Sequence, residues 1–470
     1  MLKKIKKKLL IIILFFGIII SIIYSNIYWK NYEKEVAYQK FEAGIFSKDE
    51  NASYIEGTYV GSRILGGKDV YLYFITAEEI LRSFKKNKNF FTSQPEFKLS
   101  FLHPNVIAFF SYFTNDPIIE NQNDNKIFII GKKKFLIYLQ ILIYYISLFY
   151  LFKSIKNILG FERSLILIAF LSIEPTIMQW NISFMSESLF FSFLIFFWIF
   201  LLKKKIIFYL LSGIFFGLMN LQRFYIFYFI LFMFIYFPIK YQKIFSKQIF
   251  AFFFGFLLIL SCLLISNYSR SKIFYLSPMT SHMHFPRYYE NRLLRTEMGI
   301  SNLDSAKIIE IRNNNWKKEN EFNDKNTEEM RFKFYKYQNN EAIKRILKNK
   351  YEFTKMFTKS FIKVHIINPL QMLYKYTIYE DWNNFKKTDD FKTYLYLPIV
   401  YSFFIYFFVL IGIISCNVKK NFSFYLLCAS FVMYSSIISS IGMNERYFTP
   451  AIIFLAVFLS IGINKFFKKL

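Results

Sequence analysis

Apolar runs of about 20 residues, separated by short basic loops, dominate the chain, which is the sequence form of membrane-spanning helices. The runs predict spans over roughly 9–28, 133–153, 163–182, 184–202, 205–221, 223–239, 247–267, 393–416, 421–441 and 446–464. The segments between them then alternate in charge. Lys3 to Lys8, the 153–163 loop, Lys203–Lys205, Lys240 to Lys247, Lys419–Lys420 and Lys465 to Lys469 fall on one side, which the positive-inside rule makes cytoplasmic. The other side receives 29–132, the tight turns near 183, 222 and 444, and the polar stretch 268–392. The expectation is an all-α polytopic membrane protein with about ten transmembrane helices and both termini in the cytoplasm. Residues 1–267 form an N-terminal membrane module that includes the first outer loop, 268–392 an extracytoplasmic domain, and 393–470 the C-terminal transmembrane helices.

The outer segments carry helical patterning of their own. Over 70–84, Val70, Tyr73, Phe74, Ala77, Leu81 and Phe84 share one face, with Glu78, Glu79 and Arg82 opposite. Residues 101–113 form a second short apolar helix with Pro104 near its start. Both are too short to span and suit helices lying in the membrane interface. The stretch 268–392 is mixed polar with helical patches such as 341–357, and reads as a small, mainly helical outer domain.

Composition sharpens this picture in three respects. The chain of 470 residues is 54% hydrophobic, with 63 Phe and 35 Tyr, more apolar surface than a soluble protein of that length needs. A formal net charge of +28 belongs with the basic loops and with attraction to anionic lipid headgroups, rather than with nucleic acid. The three cysteines, Cys262, Cys416 and Cys428, lie inside apolar runs and offer neither a disulfide framework nor zinc spacing. At the N-terminus a basic start precedes an apolar run long enough to span, with no A-x-A cleavage pattern, so it is read as an uncleaved first helix. Richness in Phe, Ile, Lys, Asn and Tyr fits an AT-rich bacterial genome.

Ionisable groups at membrane depth are costly and mark candidate sites. Glu174 and Glu187 flank the turn between the third and fourth spans, Arg223 sits between the fifth and sixth, and Glu445 and Arg446 head the last. All lie toward the outer face by this topology, as do His103, His282, His284 and His365. Each also has a plainer reading. Asp69 follows Gly66 and Gly67 and precedes an amphipathic helix, as an N-cap would. Glu78, Glu79 and Arg82 suit a surface ion pair. Arg223 and Arg446 suit interfacial anchors, and His103 could cap the second interfacial helix. The H-x-H spacing of His282 and His284 lacks a further ligand. An Asn-x-Ser match at Asn51-Ala52-Ser53 is expected by chance in an Asn-rich chain.

Taken together, these elements resemble the GT-C superfamily of polytopic glycosyltransferases, among them bacterial relatives of protein O-mannosyltransferase and of lipid A aminoarabinose transferase. The resemblance rests on Asp69, Tyr73 and Ala77 at the start of the first outer loop, and on His103-Pro104 before an apolar helix. It continues through Pro175 and Glu187, the G-x-x-x-G helix with Gly213, Gly217 and Arg223, and the R-Y-x-x-P element Arg446, Tyr447 and Pro450. Val70 stands where many relatives carry a second acidic residue. The resemblance covers roughly 1–270 and 390–470.

It implies a donor sugar on a polyprenyl phosphate and an acceptor in the cell envelope (lipid, glycan or protein). Transfer would be inverting, at the outer face of the bacterial cytoplasmic membrane. An acceptor hydroxyl needs a positioned base, and the resemblance assigns Asp69. The departing lipid phosphate needs fixed cations, for which Arg223, Arg446, His103 and Arg287 are candidates. Glu187, with Tyr73 and Glu174, would meet sugar or acceptor hydroxyls or a divalent metal. No cofactor is required, and the metal question stays open. Two other classes use similar ingredients: a transporter or flippase for a lipid-linked or anionic substrate, and an enzyme of O-antigen ligase or polymerase type. The transporter reading predicts mid-bilayer charges and a pseudo-repeat; here the charges gather at one face and no repeat is found.

Overall fold

A computed structural model describes residues 2–29, 36–38, 68–87, 89, 100–122, 125–128, 131–243, 246–276, 284–322, 328–367, 389–442 and 447–468. The elements run α1 (Leu2–Trp29), β1 (Val36–Tyr38), α2 (Lys68–Asn87), α3 (Leu102–Thr114), β2 (Ile119–Gln122), β3 (Asn125–Phe128), α4 (Lys134–Leu159), α5 (Phe161–Ile173), α6 (Pro175–Asn181) and α7 (Glu187–Leu201). They continue with α8 (Ile206–Gln222), α9 (Ile230–Tyr241), α10 (Lys247–Ser271), α11 (His284–Met298), α12 (Asn302–Glu319), α13 (Glu328–Lys348), α14 (Lys350–Val364), α15 (Asp389–Ser415), α16 (Phe422–Gly442) and α17 (Ala451–Phe467). The chain is an all-α polytopic membrane protein.

Among the described residues, six helical stretches are long and apolar enough to cross a membrane: Lys8–Ile27, Gly131–Leu159, Phe224–Tyr241, Lys247–Ser271, Tyr396–Ser415 and Phe422–Ile441. The shorter apolar helices α7, α8 and α17 complete the bundle. Nearly all of α7 and every residue of α17 from Ala451 to Gly462 is buried. A helix apolar on all sides is the kind that sits at the centre of a bundle.

The remaining apolar run, expected as one span over 163–182, is two helices. Pro175 has no N–H to bond the Leu171 carbonyl and biases Glu174 toward extended backbone. Glu174 accordingly adopts φ −62° and ψ 117°, and its carboxylate caps α6 by accepting from the Ile177 N–H at 2.7 Å. Tyr144 donates to the freed Leu171 carbonyl at 2.9 Å, and Tyr145 to that of Ser172 at 2.6 Å. Backbone groups freed at the break thus find partners, as a low-dielectric interior demands.

Close helix contact sets the geometry around the candidate site. A Cβ on Gly213 of α8 would lie 1.9 Å from the Phe252 carbonyl oxygen of α10, and one on Gly255 would lie 2.3 Å from that of Leu210. These two helices touch backbone to backbone, which only glycine permits.

The first outer loop holds both expected short helices. The apolar face of α2 (Tyr73, Phe74, Ala77, Ile80, Leu81) is buried, and Glu78 and Arg82 form the expected surface pair at 3.6 Å. The loop also contains a small antiparallel sheet of order β1-β3-β2, with Val36 and Ile119 both opposite Phe128. These strands are only three and four residues long, too short to show a two-residue period in the sequence. Between α3 and α4 the fully buried Lys133 donates to Asp116 at 2.7 Å and to the Pro117 carbonyl at 2.6 Å. This ion pair pins the end of the first outer loop to the head of the second span.

Among the described residues between α10 and α15 are four polar helices, α11 to α14. Glu290 of α11 pairs with Arg312 of α12. Glu297 takes Arg345 and Lys348 of α13, each at 2.6 Å.

Candidate functional site

Four separate segments converge at one end of the bundle: α2, the start of α3, the turn 182–187 and the end of α8. Ser100 joins two of them. Its hydroxyl accepts from the His103 N–H at 3.3 Å, starting α3, and shares its proton between the Leu221 carbonyl at 3.2 Å and Gln222 Oε1 at 3.3 Å. The Phe101 N–H adds a 2.8 Å bond to the same Leu221 carbonyl. The residue before Arg223 is therefore tied to the helix that carries His103.

His103 is itself buried, and its Nε2 lies 2.9 Å from the Phe184 carbonyl in the turn. A carbonyl only accepts, so Nε2 carries the proton. Burial pushes the imidazole down to about 4, against the opposing pull of the Phe184 hydrogen bond and the Glu187 carboxylate. The ring is neutral at physiological pH, and Nδ1 is a bare acceptor with no hydrogen-bond partner among the described residues. A neutral ring offers a lone pair rather than the positive charge expected of a phosphate-binding cation.

Tyr73 completes this wall. Its ring meets His103 edge-on with centroids 5.0 Å apart, and its hydroxyl lies 3.1 Å from Ser186 Oγ. Phe74 packs on Phe184 at 5.5 Å. One turn of α2 therefore grips the turn that precedes Glu187.

Glu187 opens α7, where the helix dipole favours a negative charge. Arg223, in extended backbone just past α8, forms an ion pair with it through Nη2 and Oε1. Both side chains are only 5% exposed, so water screens little of the attraction. Tyr225, two residues on, stacks near Tyr447 at 4.8 Å, and Tyr434 donates to the Tyr225 carbonyl. The C-terminal helices thus reach the same end of the bundle.

The structure brings together Tyr73, His103, Glu187 and Arg223. Glu174 is occupied elsewhere: Oε1 accepts from Thr176 at 2.8 Å and from the Tyr401 hydroxyl at 3.1 Å, while Oε2 caps α6. Asp69 is the second residue of α2, one helical turn before Tyr73, and its side chain lies outside the described residues. The side chains of Arg287 and His284, both in α11, also lie outside them, as do His282 and Arg446 altogether. Among the described residues no group of three or more His, Cys, Asp and Glu side chains could hold a metal ion. Sequence reasoning missed Ser100, Phe184, Ser186 and Gln222. Only Ser100 left a signal, as a small hydroxyl residue just before an apolar helix.

Residues 126–266 match a family model described as dolichyl-phosphate-mannose-protein mannosyltransferase. The matched stretch runs from β3 through most of α10 and includes Glu187 and Arg223. It supports the GT-C resemblance and a membrane glycosyltransferase of that type. No curated protein matches the chain.

Proposed function

We infer, taking a GT-C type membrane glycosyltransferase as the premise, that the chain moves a sugar from a polyprenyl-phosphate donor to a hydroxyl on a cell-envelope acceptor. The observation that carries this reading is the buried Glu187–Arg223 pair, held beside His103 and Tyr73 at one end of the bundle. A guanidinium kept that dry and fixed by its own carboxylate is suited to a single strong anion, such as the phosphate of a lipid-linked donor.

In the proposed step the acceptor oxygen attacks the anomeric carbon, and the bond from that carbon to the phosphate oxygen breaks. The acceptor proton goes to the Asp69 carboxylate, and the polyprenyl phosphate leaves with the electron pair. A single displacement inverts the anomeric centre. Arg223 meets the charge growing on the phosphate, with Arg446 and Arg287 as further cations. Glu187 orients Arg223. His103 Nδ1 and Tyr73 present polar and aromatic surface to the sugar. The proposed setting is a bacterial cytoplasmic membrane, with this end facing outward and both termini inside.

The test is transfer by the purified full chain from a synthetic polyprenyl-phosphate mannose to envelope extracts. The product's anomeric configuration is then read by NMR. Transfer with inversion supports the reading. Retention of configuration would remove the single displacement, and transfer from a nucleotide sugar alone would remove the lipid donor.

A further inference from the structure

α14 carries Lys355, Lys359 and Lys363 at positions i, i+4 and i+8, which places them in one row on its surface. All three are exposed, while Ser360 and Val364 behind them are buried. Lys355 lies 4.0 Å from Glu352, an exposed pair of little weight. Lys359 and Lys363 form no ion pair among the described residues. Beside the row, Ile362 is 64% exposed and Tyr351 78%. A helix that leaves both cations and large apolar groups uncovered on neighbouring strips has the composition of a membrane-surface element.

Its depth follows from its contacts with α16. Ser360 Oγ donates to the Ser440 carbonyl at 3.0 Å, and His365 Nε2 lies 3.0 Å from Ser436 Oγ. Moving forward along α14 therefore means moving back along α16, into the span Phe422–Ile441 that ends just past Ser440. Ser360 therefore lies level with the end of that apolar span. Along the α14 axis, Lys355 lies about 7 Å before Ser360 and Lys363 about 5 Å beyond it, toward the span. The headgroup layer on each side of a bilayer is roughly 5–8 Å deep. A row about 12 Å long at the end of an apolar span can reach across that layer, and the long stem of Lys363 can carry its ammonium back to the phosphates while Ile362 meets acyl chains. Tyr447, which follows α16, packs on Tyr225, so this is the membrane face that carries the candidate site.

We propose that the Lys355–Lys359–Lys363 face of α14 is a docking surface for anionic phospholipid headgroups at that membrane face. A soluble polyanion such as an acidic envelope glycan would match the charge. It would not match Lys363 lying beyond Ser360 toward the apolar span, nor the uncovered Ile362 and Tyr351.

The experiment uses the purified full chain in phosphatidylcholine nanodiscs doped with photoactivatable phosphatidylglycerol. Crosslinks on the α14 peptide are read relative to those on the 203–205 loop. A lysine near an anionic surface contributes about fivefold in binding. Lys359→Gln with Lys363→Gln should therefore cut the α14 signal by roughly 25-fold, and adding Lys355→Gln by roughly 100-fold. The three Lys→Arg changes together should preserve it, which separates charge from misfolding. Photoactivatable phosphatidylcholine should label α14 no more in wild type than in the glutamine variants. Equal labelling by both headgroups, or an undiminished signal in the triple glutamine variant, would overturn the proposal. So would displacement of the label by a soluble polyanionic glycan, which would make the row a glycan site.

Discussion

Consider replacing Glu187 with Met while leaving Arg223 in place. Both side chains are 5% exposed and form one ion pair. Removing one member leaves an uncompensated buried charge, which costs about 3–5 kcal/mol, whereas exchanging both for apolar groups of similar volume is often neutral. Glu187→Met and Arg223→Met should therefore each lower the unfolding transition strongly, and the double variant should recover most of that loss. A second readout separates structure from function. Arg223 is assigned to the donor phosphate, so the double variant should stay at least 100-fold below wild type in sugar transfer even though its stability returns, the size of effect seen when one charge-stabilising donor is lost. The assay pairs thermal unfolding in detergent with transfer from polyprenyl-phosphate mannose at matched protein levels. A single variant that loses under 1 kcal/mol would show that the pair is not effectively desolvated. A double variant that transfers sugar normally would refute the role given to Arg223.

Further outcomes follow from other parts of the molecule. His103 is held at about 4 against an ordinary 6.5. Between those values the unfolded chain binds more protons, so the His103 contribution is complete above about 6.5 and is lost as pH falls toward 4, by up to about 3 kcal/mol. The difference in stability between wild type and His103→Gln should shrink over that window; a pH-independent difference would contradict the buried neutral ring. Gly213→Leu should separate α8 from α10 and cost several kcal/mol, measured as a fall in folded yield and melting temperature; a wild-type melting temperature would show that the helices do not touch backbone to backbone. Glu174→Ala removes the cap of α6 and the partner of Tyr401, and should cost about 1–2 kcal/mol in thermal unfolding, with the remaining folded enzyme still able to transfer sugar. Loss of transfer in folded Glu174→Ala protein would give that residue a chemical role.

Much of this architecture was legible because lipid imposes a simple code. Most of the apolar runs are helical over most of their length, the 163–182 run being broken at Glu174, and the outer-loop pattern around Tyr73 and Ala77 marked a face that is buried. The misses have physical causes. Glu174 read as a candidate ligand because acids at membrane depth usually are. Local chemistry gives it partners of its own, since Pro175 frees backbone groups that a capping carboxylate and two tyrosines then satisfy. Lys133 and Asp116, 17 residues apart in sequence, gave no sign of pairing, because a contact between a loop and a helix head has no period. The neutrality of His103 depends on burial by segments about 80 residues away, which no local pattern records. Gly213 and Gly217 read as a motif only through the family resemblance; the approach of α10 gives them a mechanical reason.

Asp69, at the head of the helix whose next turn carries Tyr73, is proposed to take the acceptor proton. The most direct measurement is single-turnover transfer by Asp69→Asn, with donor binding followed in parallel. Asparagine keeps the shape and loses the base. Transfer should fall by about 10²–10⁴-fold with donor affinity little changed. Near-wild-type transfer by folded Asp69→Asn protein would contradict the account and return Asp69 to the role of a residue that merely favours the start of α2.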